Sequence, residues 1–209
     1  MSVTLRRNII VALLCAGILY SLWVDGIYAF VYYTFWTLCL QLAAFLEIVW
    51  NDKYTILSFA SAPIWTVFIA FWVVVRPHLL IHGKPPLPTH DIIMFFPHGV
   101  NVLLLLSEPP QYRLCSPIPC MVYNTIYVIS LLLYHHAGGR DSAGDVVYEA
   151  LDFDIWYNNI LVLLGIPLVG FIHFLGAYQQ KMAMPYSILD KHNHESSPNT
   201  MCCYRSNHP

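Results

Sequence analysis

The sequence predicts an all-α, polytopic membrane protein with about six transmembrane helices. Three observations carry this. Of the 209 residues, 57% are hydrophobic and only 11% charged, where a soluble domain carries about a quarter charged residues. The mean hydropathy is +0.56. The apolar residues also gather into six runs, at about 8–24, 27–50, 54–76, 91–108, 118–137 and 157–179. Crossing roughly 30 Å of hydrocarbon as a helix takes about 20 such residues.

Each run ends for a local reason. The first follows Arg6 and Arg7, as a signal peptide would. No small-x-small cleavage site follows it and a second apolar run starts at once, so it reads as a retained span. Asp25-Gly26 and Asn51-Asp52-Lys53 make the next two turns. The stretch from Arg76 to Asp91 holds Pro77, Pro85, Pro86 and Pro88 and cannot be helical throughout. Glu108-Pro109-Pro110 closes the fourth span and Gly138-Gly139 the fifth. Residues 1–180 therefore form one six-span domain. Residues 181–209, rich in Ser, Asn, His and Pro, read as a disordered tail.

Charge places the ends. With the N-terminus inside, the cytoplasmic side holds Arg6, Arg7, Lys53, Arg113, Lys181, Lys191 and Arg205, and the far side Arg76, Lys84 and Arg140. The Lys/Arg bias thus puts both termini in the cytoplasm, in the plasma membrane or an endomembrane. The net charge of −2 offers no basic stripe for nucleic acid. The expected partners are membrane lipids, a fatty acyl ligand among them. No cofactor and no metal are expected. The acidic stretch 140–154 fits no EF-hand loop, and His192, His194, Cys202, Cys203 and His208 have no zinc-finger spacing. Cys115, Cys120, Cys202 and Cys203 read instead as palmitoylation candidates near the cytoplasmic face.

Ionisable residues inside a span mark function by default. Here they are Glu47, His98, His135, His136 and His173. His135-His136 point about 100° apart on a helix and make a poor chelating pair. Glu47 is expected to pair with Lys53 or Arg113, and His173 to satisfy a carbonyl. Depth matching is more informative. Thr37 lies near the middle of the second span, and His98 and Asn101, three residues apart on one helix face, near the middle of the fourth. Thr34, Thr37, Gln41 and Ala44 form a stripe that favours close helix packing. Two readings follow. In one, the polar layer holds the bundle together. In the other, Thr37 is a nucleophile with His98 as its general base, and Gln41 and Asn101 bind the substrate.

The segments "HGVNVLLLLSE" (98–108), "SPIP" (116–119) and "NTIYVISLLLYHHAGGRDSAGDVVYEALDFD" (124–154) resemble the rolling stone proteins. The pattern is His98-Gly99-x-Asn101, Glu108, Tyr127, Gly138-Gly139, Gly144, Tyr148, Leu151 and Asp152, over roughly 90–180. "FASAPIWTVFIAFWVVV" (59–75) and "YYTFWTLCLQLAAF" (32–45) resemble spans of the wider superfamily, which includes the androgen-induced membrane proteins. The resemblance implies one of two functions. Rolling stone proteins are implicated in myoblast fusion, without a settled biochemical activity. The androgen-induced proteins are threonine hydrolases of fatty acid esters of hydroxy fatty acids. Their nucleophile corresponds to Thr37 and their His-x-x-His to His98 and Asn101. Asparagine cannot take a proton from a hydroxyl at neutral pH, so either His98 serves from one turn earlier or the chemistry is absent. The expectation is a multi-pass protein acting in cell fusion or another membrane process. The alternative is the threonine hydrolase, and the third reading a proton-coupled carrier built on His98 and Glu47.

Overall fold

The computed structural model describes residues 2–51, 53–77, 80, 95–108, 117–140, 153–154 and 156–183. All of its regular structure is helical. Helix α1 spans Val3–Asp25, capped by the Ser2 hydroxyl, which accepts from the Leu5 N–H at 3.2 Å. A 3₁₀ segment, Gly26–Val31, leads into α2, Tyr33–Asn51. Helix α3, Thr55–Ile69, runs on as a π-helical turn, Ala70–Val75. A second π-helical turn, Phe96–Val100, opens α4, Asn101–Ser107. Helices α5, Ile118–His136, and α6, Trp156–Ala183, complete the bundle.

Five of these helices are long and apolar enough to cross a membrane. The fourth span differs from its predicted extent. Its described apolar stretch is Pro97–Ser107, which rises about 16 Å at 1.5 Å per residue, and residues 91–94 of the predicted span lie outside the described residues. So do the proline-rich stretch around 81–91, most of the acidic stretch, Cys115, and the tail from 184 onward with Cys202 and Cys203.

Helix α3 sits at the centre, in contact with α2, α4, α5 and α6. Proline explains part of how it is held. Pro63, inside α3, has no N–H, so the carbonyl four residues back is left without its helical donor. That carbonyl, Phe59 O, instead accepts from Cys120 Sγ on α5 at 3.3 Å. Among the described residues Glu47 forms no ion pair with Lys53, and Arg113 lies outside them. Glu47 Oε2 accepts from the Ile56 N–H at 2.8 Å, closing the first turn of α3. Helix α5 ends as its sequence dictates. Gly138 takes φ 79°, and the N–H groups of Gly138 and Gly139 donate back to His135 O and Tyr134 O at 2.9 Å.

One cluster shows which helix ends share a face. Glu108, just past the end of α4, receives Arg6 Nη2 at 2.6 Å, Arg7 Nη2 at 2.7 Å and the Tyr54 hydroxyl at 2.8 Å. The start of α1, the start of α3 and the end of α4 therefore meet at one end of the bundle, as alternating spans require. Arg7 also donates to the Tyr54 hydroxyl at 2.5 Å and lies 5.8 Å from the ring centroid.

Candidate functional site: a polar seam between α2 and α4

The small-polar stripe of α2 faces inward. Thr37, Gln41 and Ala44 are fully buried and Thr34 is half-buried. What it meets on α4 differs by one helical turn from the predicted pairing. His98 Nε2 lies 3.1 Å from the hydroxyl of Thr34, not that of Thr37. Thr37 turns its hydroxyl back along its own helix, donating to Thr34 O at 2.8 Å and Tyr33 O at 3.1 Å. A hydroxyl folded onto the i−3 and i−4 carbonyls has its proton already placed.

His98 is half-buried, and its ring stacks on Phe71 of the α3 π-turn, centroids 3.8 Å apart and planes 15° apart. Its helix must bend to offer it. Pro97 interrupts the backbone ladder and the turn around it is π-helical. A Cβ at Gly99 would sit 2.5 Å from the ring of the exposed Phe95, so a larger residue there has to push that ring aside. The carbonyl of Pro97 accepts the Asn101 side-chain amide at 2.7 Å. Asn101 O in turn accepts Gln41 Nε2 at 3.0 Å. The seam therefore runs Thr34–His98, then Thr37, then Gln41–Asn101, over about 10 Å of α2 by helical rise.

Its hydrogen-bond balance is lopsided. Each side-chain amide gives one N–H to a backbone carbonyl, while Gln41 Oε1 and Asn101 Oδ1 are buried and take no donor among the described residues. The Ser58 and Ser61 hydroxyls of α3 donate to carbonyls of their own helix. Two clefts, of about 290 and 300 Å3, lie elsewhere on α2. They share Phe30 and Trp36, and one is closed by Tyr127 and Leu131 and the other by Cys39 and Tyr123. None of Thr34, Thr37, Gln41, His98 or Asn101 lines either cleft.

The remaining polar groups at depth find partners that hydropathy does not reveal. Cys120 is fully buried between α3, α5 and α6, which removes it as a palmitoylation site. Its sulfur lies 3.4 Å from Nδ1 of His173, itself fully buried. His135 Nε2 lies 3.2 Å from Asp154 Oδ1, and its ring meets Phe153 edge-on. His/Cys/Asp/Glu groups of three or more that could hold a metal do not occur among the described residues.

The Glu108 cluster escaped the sequence reading, which used Arg6 and Arg7 only as topology signals. Burial disfavours the charged carboxylate, but hydrogen bonds from Arg7 and Tyr54 and the charges of Arg7 and Arg6 outweigh it. They hold the Glu108 carboxyl below its ordinary range. Set against protein-family models, curated proteins and solved structures, the chain matches none.

Proposed function

We propose that this chain is a multi-pass membrane protein of rolling stone type, acting in cell fusion or another membrane process through a seam that holds rather than cleaves its ligand. One observation carries the non-catalytic half of this reading. The side-chain NH2 groups of Gln41 and Asn101 are each turned onto a backbone carbonyl, and the groups left open beside them are amide oxygens, so the seam presents acceptors rather than the converging donors of an oxyanion hole, usually the largest single contribution to acyl transfer. The cellular half rests on the sequence resemblance, which covers His98-Gly99-x-Asn101 and Glu108. Both termini are placed in the cytoplasm by the Lys/Arg bias, which puts the Glu108 cluster on that side. The test is deletion of the gene product in fusing myoblasts or comparable cells. Cultures that remain mononucleate support the reading, and normal fusion sinks it.

The pairing of Thr34 with His98 favours a second reading, a lipid-ester hydrolase with Thr34 in place of Thr37 as nucleophile. The imidazole Nε2, at 3.1 Å, is within reach of the hydroxyl proton. Thr34 Oγ1 would attack the ester carbonyl while His98 takes its proton, then gives it to the departing alkoxide of the hydroxy fatty acid. His98 would then deprotonate a water, which cleaves the acyl-threonine and restores the hydroxyl. Labelling with a fluorophosphonate probe separates the readings. Labelling that survives Thr37→Ala and disappears in Thr34→Ala establishes the hydrolase. An unlabelled, folded wild type leaves the holding role. The carrier reading loses support from geometry: Glu47 is fixed at the start of α3, thirteen residues after Thr34 and so about 20 Å away along α2.

A further inference from the structure

The orientation of the two amides in the seam is forced, and this defines what the seam can bind. Pro97 O and Asn101 O are carbonyls and can only accept, so the groups facing them must be the Asn101 and Gln41 NH2. The open ends are then both oxygens, Gln41 Oε1 and Asn101 Oδ1. Gln41 is 0% and Asn101 3% exposed, so bulk solvent does not satisfy them. The neighbouring hydroxyls do not either. Thr37, Ser58 and Ser61 all give their protons to carbonyls of their own helices. One turn along α4 from Asn101, the half-buried Thr34–His98 pair forms the less enclosed end of the same seam.

We propose that this seam is a binding site for a hydrogen-bond donor, the hydroxyl of a lipid alcohol drawn from the bilayer, with Gln41 Oε1 and Asn101 Oδ1 as its acceptors. The inference rests on the ligand-holding reading above and names the ligand class for that site. Two buried acceptor oxygens accommodate an O–H and repel a carboxylate or any oxyanion, which has no proton to give them and sets like charge against them. An ether of the same length fills the same volume and leaves both oxygens unpaired. Water is the other source of an O–H and is the competing occupant.

The test uses the full-length protein in amine-oxide micelles, whose headgroup carries no O–H. Thermal unfolding is followed with 1-dodecanol, its methyl ether and dodecanoate. Dodecanol is expected to raise the unfolding temperature in a saturable way, with the ether and dodecanoate weaker by roughly tenfold or more, as for a site built to bond a hydroxyl. Asn101→Leu should abolish the dodecanol shift. Where that variant does not fold, Gln41→Met, which keeps the chain length and removes one acceptor, gives the same readout. An ether that stabilises as well as the alcohol overturns the proposal, and so does the absence of any shift, which assigns the two oxygens to water. Fluorophosphonate labelling of the same preparation tells the two failures apart. A protein indifferent to dodecanol and unlabelled loses only this inference, whereas one indifferent and labelled at Thr34 loses the holding role as well.

Discussion

Two polar clusters tie other helices to α4, and they are satisfied in opposite ways. At one end of the bundle Glu108 accepts from Arg6, Arg7 and Tyr54, so each carboxylate oxygen has a donor within 2.8 Å. In the seam the Gln41 and Asn101 side chains donate to backbone carbonyls, and their two amide oxygens accept nothing among the described residues. The physical chemistry allows this asymmetry in one direction only. An orphaned buried charge costs several kcal/mol, whereas an orphaned amide oxygen costs about 1–3 kcal/mol, which a folded bundle can carry if a ligand later removes the cost. The charged cluster thus reads as the part that holds the bundle closed, and the neutral seam as the part left open for use.

The largest expected effect comes from breaking the charged cluster. Glu108→Leu leaves two arginines facing an apolar side chain and should destabilise the protein by about 3 kcal/mol, the low end for a broken buried pair because Arg6 can still hydrate. Glu108→Gln keeps the shape and an acceptor and should cost about half as much. Thermal unfolding in detergent measures both, and equal unfolding temperatures for all three proteins would show that the cluster does not hold the bundle.

The same residue sets an acid limit. Its carboxyl titrates below the ordinary value of 4.5 in the folded protein, so the unfolded chain binds the proton first as pH falls. The cluster's contribution is fully present above about pH 4.5 and is lost as pH drops through the lower folded pKa. Unfolding temperature followed from neutral pH downward should fall in that window for the wild type and stay flatter for Glu108→Gln. Parallel curves would refute the assignment.

Smaller effects sharpen the seam. Thr34→Val removes the hydroxyl facing His98 and should cost about 0.6 kcal/mol, the mean for an interhelical hydrogen bond in a membrane. Thr37→Val removes only a bond within its own helix and should cost less. A larger loss in Thr37→Val would mean that Thr37, not Thr34, is the one that couples α2 to α4. The smallest effect is chemical. A membrane-permeant maleimide should label the exposed Cys39 and spare the buried Cys120 until the protein unfolds, as mass spectrometry of the adducts would report. Early modification of Cys120 would contradict its burial among Phe59, His173 and α5.

Much of the fold was legible because helix length and polarity answer to the bilayer directly. The limits of α5 and α6, and of α3 with its π-turn, lie within a few residues of the runs read from hydropathy, and Gly138 ends α5 for a reason visible in the chain, whereas α2 begins only at Tyr33, after the 3₁₀ segment Gly26–Val31 that takes up the start of its run. The seam was legible to within one turn. Depth matching brought α2 and α4 level, but Thr34 and Thr37 share a helix face, and a one-turn difference of about 5.4 Å is decided by how Pro97 and the π-turn set the position of His98. The Glu108 cluster was not legible, because nothing in a sequence places Arg6 beside a residue 102 positions away.

By itself, then, the sequence determined that the chain is a bundle of membrane helices, which residues are polar at depth, and where most of the helices stop. These follow from local composition and from the 3.6-residue period. Only the tertiary structure decided which hydroxyl His98 meets, that Glu47 closes the first turn of α3, that Cys120 is buried against His173, and that the amide oxygens of Gln41 and Asn101 are left open among the described residues. The reason is the same each time. A hydrogen bond forms or fails over less than an ångström, and that distance is set by how neighbouring helices pack.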